Sequence, residues 1–168
     1  MKTLHLLTTT ICGRDCIHCC NKQMNLNDIP YVQKEDILQC DTICITGGEP
    51  ILYSNCCEIS RYYKSHFKNI KNVYVYANAA ELFMYLSNMG SIDYLDGLSI
   101  SIKSPIDVIA FREIVRRYKD DIDLLKSNRV YVFNNLLSKN KIPSKWEYIE
   151  RHWQEDFKPA ENCIFRKV

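Results

Sequence analysis

The chain has 168 residues, enough for one domain with a sizeable core, and its 46% hydrophobic and 25% charged residues are typical of a globular protein. A net charge of only +2 argues against partners held by charge alone, so we expect no membrane surface and no nucleic acid as partner. No stretch approaches the roughly 20 apolar residues of a membrane span, and the amino-terminal MKTLHLLTTTIC lacks the apolar core and the cleavage site of a signal peptide.

Nine cysteines are an unusual number for such a chain. Without export, a disulfide framework is not expected, and the odd number argues against complete pairing. We therefore expect a cytoplasmic protein in a reducing, even anaerobic, compartment. The cysteines would then be core residues or metal ligands.

Strand and helix patterns alternate along the chain, with no repeat and no linker, so residues 1–168 are predicted to form a single domain. Strands are predicted at 3–9, 42–46, 73–76, 98–102, 130–133 and 163–166. Helices are predicted at 30–40, 54–67, 81–89, 107–118, 121–126 and 143–155. Ser54 is the expected N-cap of the second helix, and Gly90 is the expected stop of the third.

This rhythm predicts βαβ units and a parallel sheet. Five or six strands are too few for an eight-stranded barrel, so the alternatives are an open doubly wound sheet or a partial barrel. In both, ligands bind at the carboxyl ends of the strands. The connection at residues 10–28 and the turn at Gly47-Gly48 follow the first two strands, so we expect them side by side at that edge.

Three cysteines stand close together in the first connection, as Cys12, Cys16 and Cys19 in a C-x3-C-x2-C array. A closed zinc site needs four ligands, and an iron–sulfur cluster also normally takes four cysteines. Three cysteines without an evident fourth would leave one iron open to a substrate or cofactor. Cys20 follows immediately, and we interpret it as a structural neighbour rather than a ligand.

The sequence ITGGEP, residues 45–50, is the second motif. Gly47 and Gly48 allow the backbone to approach a ligand closely, Glu49 adds a carboxylate at the edge of the sheet, and Pro50 stiffens the exit. On this interpretation, replacing Gly48 by Val weakens ligand binding while the metal site stays intact. The alternative is a tight strand-to-helix turn with a solvated Glu49.

Together, in this order and spacing, the two motifs resemble those of the radical S-adenosylmethionine (SAM) superfamily, over roughly residues 3–135. The resemblance implies a partial (β/α)5-6 parallel barrel in which Cys12, Cys16 and Cys19 bind a [4Fe–4S] cluster and the residues of the GGEP motif contact SAM. It further implies an electron from a flavodoxin- or ferredoxin-like protein, reductive cleavage of SAM, and a 5′-deoxyadenosyl radical that abstracts hydrogen from a substrate.

Other positions resemble the family less completely. His18 stands where relatives carry an aromatic residue against adenine, and Asn78 is the retained residue of a T-N-G motif. Ser101 and Lys103 resemble polar residues that contact the SAM ribose or carboxylate. The alternatives are a solvated His18, a core Ser101 and a surface Lys103. After the fifth strand, Asn134 and Asn135 offer a weak substitute for a glycine-rich adenine site.

The resemblance leaves the substrate open, and three hypotheses follow. In the first, the chain modifies a peptide, protein or other large substrate. In the second, it activates a glycyl radical enzyme such as anaerobic ribonucleotide reductase, whose activases have similar length and an Asn at the position of Asn21. In the third, it is a non-catalytic metal-binding partner protein. We favour a large substrate, because five or six strands leave an open flank. The segment 138–153 is the candidate contact, unless Trp146 packs on the sheet.

Overall fold

The computed structural model describes residues 2–16, 19–153 and 161–168. They form an α/β fold around a parallel sheet whose seven strands have the spatial order β6-β5-β4-β3-β2-β1-β7. The strands are β1 (Lys2–Thr9), β2 (Cys40–Gly47), β3 (Asn72–Asn78), β4 (Gly97–Ile102), β5 (Ser127–Phe133), β6 (Trp146–Arg151) and β7 (Cys163–Lys167). The predicted α/β class with a parallel sheet is confirmed.

Short helices connect most of the strands. They are α1 (Cys20–Gln23), α2 (Lys34–Leu38), α3 (Pro50–Tyr53), α4 (Cys56–His66), α5 (Ala79–Ser87), α6 (Pro105–Arg117) and α7 (Lys119–Asp123), with 3-10 turns at Leu26–Asp28 and Lys139–Lys141. The N-cap of α4 is Asn55, whose side chain accepts from the Glu58 amide, and not Ser54. Among the described residues, no helix has the length and apolarity needed to cross a membrane.

The hydrophobic core lies between one face of the sheet and helices α2 to α7. Apolar residues alternate along the strands, so that Leu4 and Leu6 of β1 and Ile43 and Ile45 of β2 are fully buried under the helices. The intervening residues point to the other face, which we call the polar face. It carries a series of rings: His5 stacks on Phe165, and Tyr76 stacks on Tyr131.

Two predicted elements differ in the structure. The helix predicted at 143–155 is wrong: the described part of that segment forms strand β6, and residues 154 and 155 lie outside the described residues. The helix predicted at 30–40 is only Lys34–Leu38, where the Gln33 side chain and Asp36 form a capping box. The strand predicted at 163–166 exists as β7, and it pairs with β1.

Candidate functional site

Four connections that carry predicted site residues meet at the carboxyl edge, where the parallel strands end. The cysteine loop (residues 10–19) follows β1, the GGEP turn (residues 47–50) ends β2, Asn78 ends β3, and Lys103 follows β4. Cys12 is exposed, whereas Cys16 and Cys19 are half-buried. His18 lies outside the described residues.

The three thiols share one electrostatic environment. Burial raises the pKa of Cys12, its contact with the Arg14 amide opposes that rise, and the negative charges of Glu49, Cys16 and Cys19 raise the pKa further. Thiolates placed so close together repel one another, and a bound cation removes that repulsion. The thiolate form of Cys12 is therefore disfavoured unless a positive charge binds close to it.

The described residues do not form a site for a single metal ion. Among the described residues, no three His, Cys, Asp or Glu side chains converge so that one ion could be held. An iron–sulfur cluster is different, because each cysteine binds a different iron and the sulfur atoms stand further apart than around one ion. A cluster therefore does not require its cysteines to converge on one point.

The two glycines of the GGEP turn lie against the cysteine loop. The amides of Gly48 and Glu49 donate to the carbonyls of Thr9 and Ile11, each at 2.8 Å. A Cβ on Gly48 would stand 2.0 Å from the Ile11 oxygen, and Gly47 has a φ of +146°. These glycines therefore let one backbone approach another, which differs from the expectation that they leave room for a ligand.

Glu49 is buried, with an exposure of 1%, so the alternative interpretation of the motif as a turn with a solvated Glu49 is wrong. Its Oε2 accepts from the backbone amide of Asn78 at 3.0 Å and from Asn78 Nδ2 at 2.5 Å. Burial raises the pKa of Glu49 to about 7, although the hydrogen bonds from Asn78 oppose this. The motif thus places an acid, and not a solvated anion, at the centre of the edge.

Two buried acceptors at this point have no hydrogen-bond partner among the described residues: Glu49 Oε1 and Asn78 Oδ1. Buried polar atoms are nearly always paired, and a carboxylate and an amide oxygen both need a donor. A cationic N–H donor would satisfy both and would also favour the charged form of Glu49.

The cysteine loop is fixed to the helices by Arg14, which the sequence analysis did not identify. Its Nε donates to Glu81 of α5 at 2.7 Å, and its two terminal nitrogens donate to the carboxylate of Asp107 in α6 at 2.8 and 2.5 Å. Arg14 is largely buried and Asp107 is completely buried. Two parallel hydrogen bonds between buried charged groups fix the orientation of the loop and its distance from the helices.

Asp107 also organises two further connections. It accepts from the Lys103 amide at 3.0 Å, from the Ser104 hydroxyl at 2.8 Å and from the Ala80 amide at 3.2 Å. Burial would raise the pKa of Asp107, but the hydrogen bonds from Arg14, Lys103 and Ser104 lower it below its usual value. One carboxylate thus joins the connections after β1, β3 and β4.

The remaining predicted residues also lie at the carboxyl edge of the sheet. Pro50 is buried at the first position of α3, and Ser101 is half-buried in register with Asn78 on the neighbouring strand. The Lys103 ammonium lies 5.8 Å from the Phe133 ring centroid, and its charge lowers the pKa of Glu49. Asn134 and Asn135 adopt positive φ in the turn after β5.

In comparisons with known proteins, no family model, no curated protein and no solved structure matches this chain. The basis for a function is therefore the set of residues at the carboxyl edge of the sheet. They are the three thiols, the buried pair Glu49 and Asn78, and the network centred on Asp107.

Proposed function

We propose that this chain is a radical SAM enzyme that uses a [4Fe–4S] cluster and SAM to abstract hydrogen from a large substrate. The observation that carries the proposal is the pair of unsatisfied acceptors, Glu49 Oε1 and Asn78 Oδ1, beside a loop with three clustered thiols. The amino group of SAM is a cationic donor of the kind that those oxygens require. The thiols and the acceptors thus point to one pair of cofactors.

Cys12, Cys16 and Cys19 would hold the cluster, with a fourth iron left for SAM. When bound, the cluster and SAM supply the electron and the 5′-deoxyadenosyl group from which the radical chemistry starts. The chain's own task is to orient them and to exclude water. Glu49 and Asn78 would accept from the SAM amino group, and Ser101 would contact its ribose or carboxylate.

The electrostatics of Glu49 favour such a ligand. Without a cation, burial holds its pKa near 7, so near neutral pH the carboxyl is only partly ionised. An ammonium within hydrogen-bond distance of Oε1 lowers that pKa and fixes the charged form. SAM binding is therefore coupled to the loss of a proton from Glu49.

The proposed enzyme would use the parallel sheet as a partial barrel of the (β/α)6 type. In support, β1 to β6 follow one another in space in chain order, and helices α2 to α7 pack on one face of the sheet. Rings on strands two positions apart meet on the polar face: the centroids of His5 and Tyr76 are 5.9 Å apart. Adjacent strands are about 4.8 Å apart, so this close approach is what a sheet concave on that side favours.

The experiment is anaerobic reconstitution with iron and sulfide, followed by assays of bound iron, the spectrum of the reduced cluster and 5′-deoxyadenosine release. The wild-type protein should be brown and should cleave SAM with dithionite. Cys12→Ala, Cys16→Ala and Cys19→Ala should each lose the cluster. Cys57→Ala is the matched control, because that thiol bonds the Ser91 carbonyl on α4's side of the sheet.

Two results would contradict the proposal. Protein that binds one zinc and no iron under these conditions would exclude a cluster enzyme. A stable cluster without SAM cleavage would favour a non-catalytic metal-binding partner protein. The activase hypothesis makes a separate claim, since a glycyl radical enzyme encoded nearby should gain a radical signal when mixed with the reconstituted protein.

A further inference from the structure

Three residues form a row across the ends of three neighbouring strands on the polar face. Phe133 of β5 is paired in register with Arg151 of β6, and Ile102 of β4 is paired with Val132, which places Lys103 level with Phe133. We call these residues the Lys103–Phe133–Arg151 row. It begins beside the candidate SAM site and extends away from it to β6, at one edge of the described sheet.

Aromatic rings form the floor of the row. The rings of Phe133 and Trp153 are 4.5 Å apart, and the Lys103 ammonium lies 5.8 and 5.9 Å from their centroids. The Arg151 guanidinium lies 5.3 Å from the centroid of Tyr131. Cation–π contacts hold both cations in position without neutralising their charge.

The two cations have no carboxylate partner within the part of the chain that the structure describes. Arg129, two residues earlier in β5 than Tyr131, provides the contrast, because its Nε donates to Glu147 at 2.8 Å. Lys103 and Arg151 have no such ion pair with any described residue. Within the described residues, the Lys103–Phe133–Arg151 row therefore presents two positive charges beside aromatic rings.

We propose that this row docks an acidic segment of a protein substrate and places it beside the candidate SAM site. This inference rests on the proposed function. Carboxylates are the chemical complement of a lysine and an arginine, and an arginine can bind one with two parallel hydrogen bonds. Arg151 is exposed and Trp153 is half-buried, so a small acid would leave much of the surface in water, whereas a peptide segment covers it.

The test measures binding of a fluorescein-labelled, acetylated hexaglutamate peptide to the reconstituted protein by fluorescence anisotropy, at low and high salt. We expect salt-sensitive binding that hexaglutamine does not show, because screening weakens exposed charge pairs. Arg151→Gln should weaken binding about tenfold, the loss expected for one hydrogen-bonded charge pair. Arg151→Lys should weaken it less, since charge is kept and the planar fork is lost.

The matched control is Arg112→Gln, which removes an exposed arginine from the outer side of α6 and should leave the affinity unchanged. Arg151 is exposed, so its replacement should not unfold the protein, which thermal unfolding of each variant checks. Equal affinity of wild type and Arg151→Gln would overturn the inference. Displacement of the peptide by N-acetylglutamate at equal concentration, or tighter binding of the oligonucleotide dT6, would overturn the assignment to an acidic protein segment.

The design separates this inference from the proposed function. If the protein holds iron and cleaves SAM but binds hexaglutamate without dependence on Arg151, the substrate inference fails and the enzyme assignment stands. If binding depends on Arg151 but no iron is taken up, the acidic docking surface stands and the radical SAM assignment fails.

Discussion

Glu49 shares its hydrogen bonds unequally: Oε2 takes both donors of Asn78, and Oε1 takes none from the described residues. An unpaired buried acceptor costs free energy until a donor arrives, and under the proposed function that donor is the amino group of SAM.

Glu49→Gln tests that interpretation. The amide oxygen can keep the contacts to Asn78, and the new NH2 group then replaces an acceptor by a donor where the SAM ammonium would lie. We expect the fold and the iron content to be retained and the SAM affinity to fall at least about tenfold, because two donors then oppose each other. Calorimetric titration of SAM into the reconstituted variant is the measurement.

Glu58→Gln is the control for this change, since Glu58 is an exposed carboxylate on α4 that pairs with Arg61. Its SAM affinity should match that of the wild type. Unchanged SAM binding in Glu49→Gln would show that the unpaired oxygen does not face the ligand.

Site residues could be predicted where a short sequence motif contains them. They could not be predicted where only the fold brings distant residues into contact. Cys12, Cys16, Cys19 and the GGEP motif are visible as short patterns in the sequence. Arg14 and Asp107 are 93 residues apart, and nothing near Arg14 indicates its partner. The helix predicted at 107–118 placed Asp107 at a helix start, but that pattern carries no sign of a partner in the cysteine loop.

At the scale of elements, the GGEP turn and the cysteine loop behave as one unit because their backbones touch. Gly48→Ala should therefore disturb cluster assembly and SAM binding together, since its Cβ would collide with the Ile11 carbonyl. This replaces the expectation that a side chain at Gly48 spares the cluster. Iron per chain after reconstitution is the measurement, and we expect less than half of the wild-type value, as an order-of-magnitude estimate for a displaced loop.

The loop itself offers the matched control. Gly13 lies between Cys12 and Arg14, and a Cβ there would meet nothing within 4 Å. Gly13→Ala should retain the wild-type iron content. If Gly48→Ala assembles a full cluster and loses only SAM binding, the ligand-facing interpretation of the glycines is correct after all.

The junction of α5, α6 and the cysteine loop gives a second element-scale prediction. Asp107→Asn removes the charge opposite a largely buried Arg14 and should destabilise the apo-protein by about 3 kcal/mol, as when a buried ion pair loses one partner. Urea unfolding measures the change. Glu113→Gln, in a solvent-screened ion pair with Arg116 and Arg117 on α6, should cost much less. Equal costs would mean that Asp107 does not fix the loop.

Strand β6 shows where element prediction failed. Pro143 at the start and apolar residues at mixed spacing favoured a helix, but Trp146, Tyr148 and Ile149 are residue types that prefer strands. Tertiary pairing decided the outcome, because β5 offers β6 a free edge with six paired positions. The alternation of β1 to β5 with helices was predictable, since each strand is a short apolar run between turn residues.

Two buried groups, His5 and Glu49, make opposite contributions to the response of stability to pH. Burial lowers the pKa of His5 to about 4 and raises that of Glu49 to about 7. His5 therefore binds its proton more weakly in the folded protein, so stability rises from pH 4 to about 6.5. Glu49 binds its proton more strongly, so stability falls between its ordinary pKa of 4.5 and pH 7.

In the apo-protein these effects should nearly cancel between pH 4.5 and 6.5. Glu49→Gln should expose the His5 contribution as a rise of about 3 kcal/mol from pH 4 to 6.5, and His5→Gln should expose a fall of similar size up to pH 7. Urea unfolding at half-unit pH steps measures both slopes. Parallel curves for the wild type and the two variants would mean that neither group titrates as the buried environment dictates.

Part of the overall topology could be predicted from the sequence. The alternation of strands and helices predicts a parallel sheet. It does not predict the place of β7 beside β1, because pairing between segments 160 residues apart leaves no local sequence pattern. Thr3 and Cys163 are the register partners.

The position of β7 has a consequence for how the protein is made. β1 leaves the ribosome before the other strands of the sheet, yet one of its two edges waits for the segment at Cys163–Lys167. From Gly47 to Cys163 the ribosome adds roughly 116 residues, which takes about 6 to 23 s at a rate of roughly 5–20 residues per second. During that interval the apolar β1 shows an open edge to other nascent chains, a known route to aggregation. Chaperone capacity and the rate of translation should therefore govern the yield of soluble protein more than its final stability does.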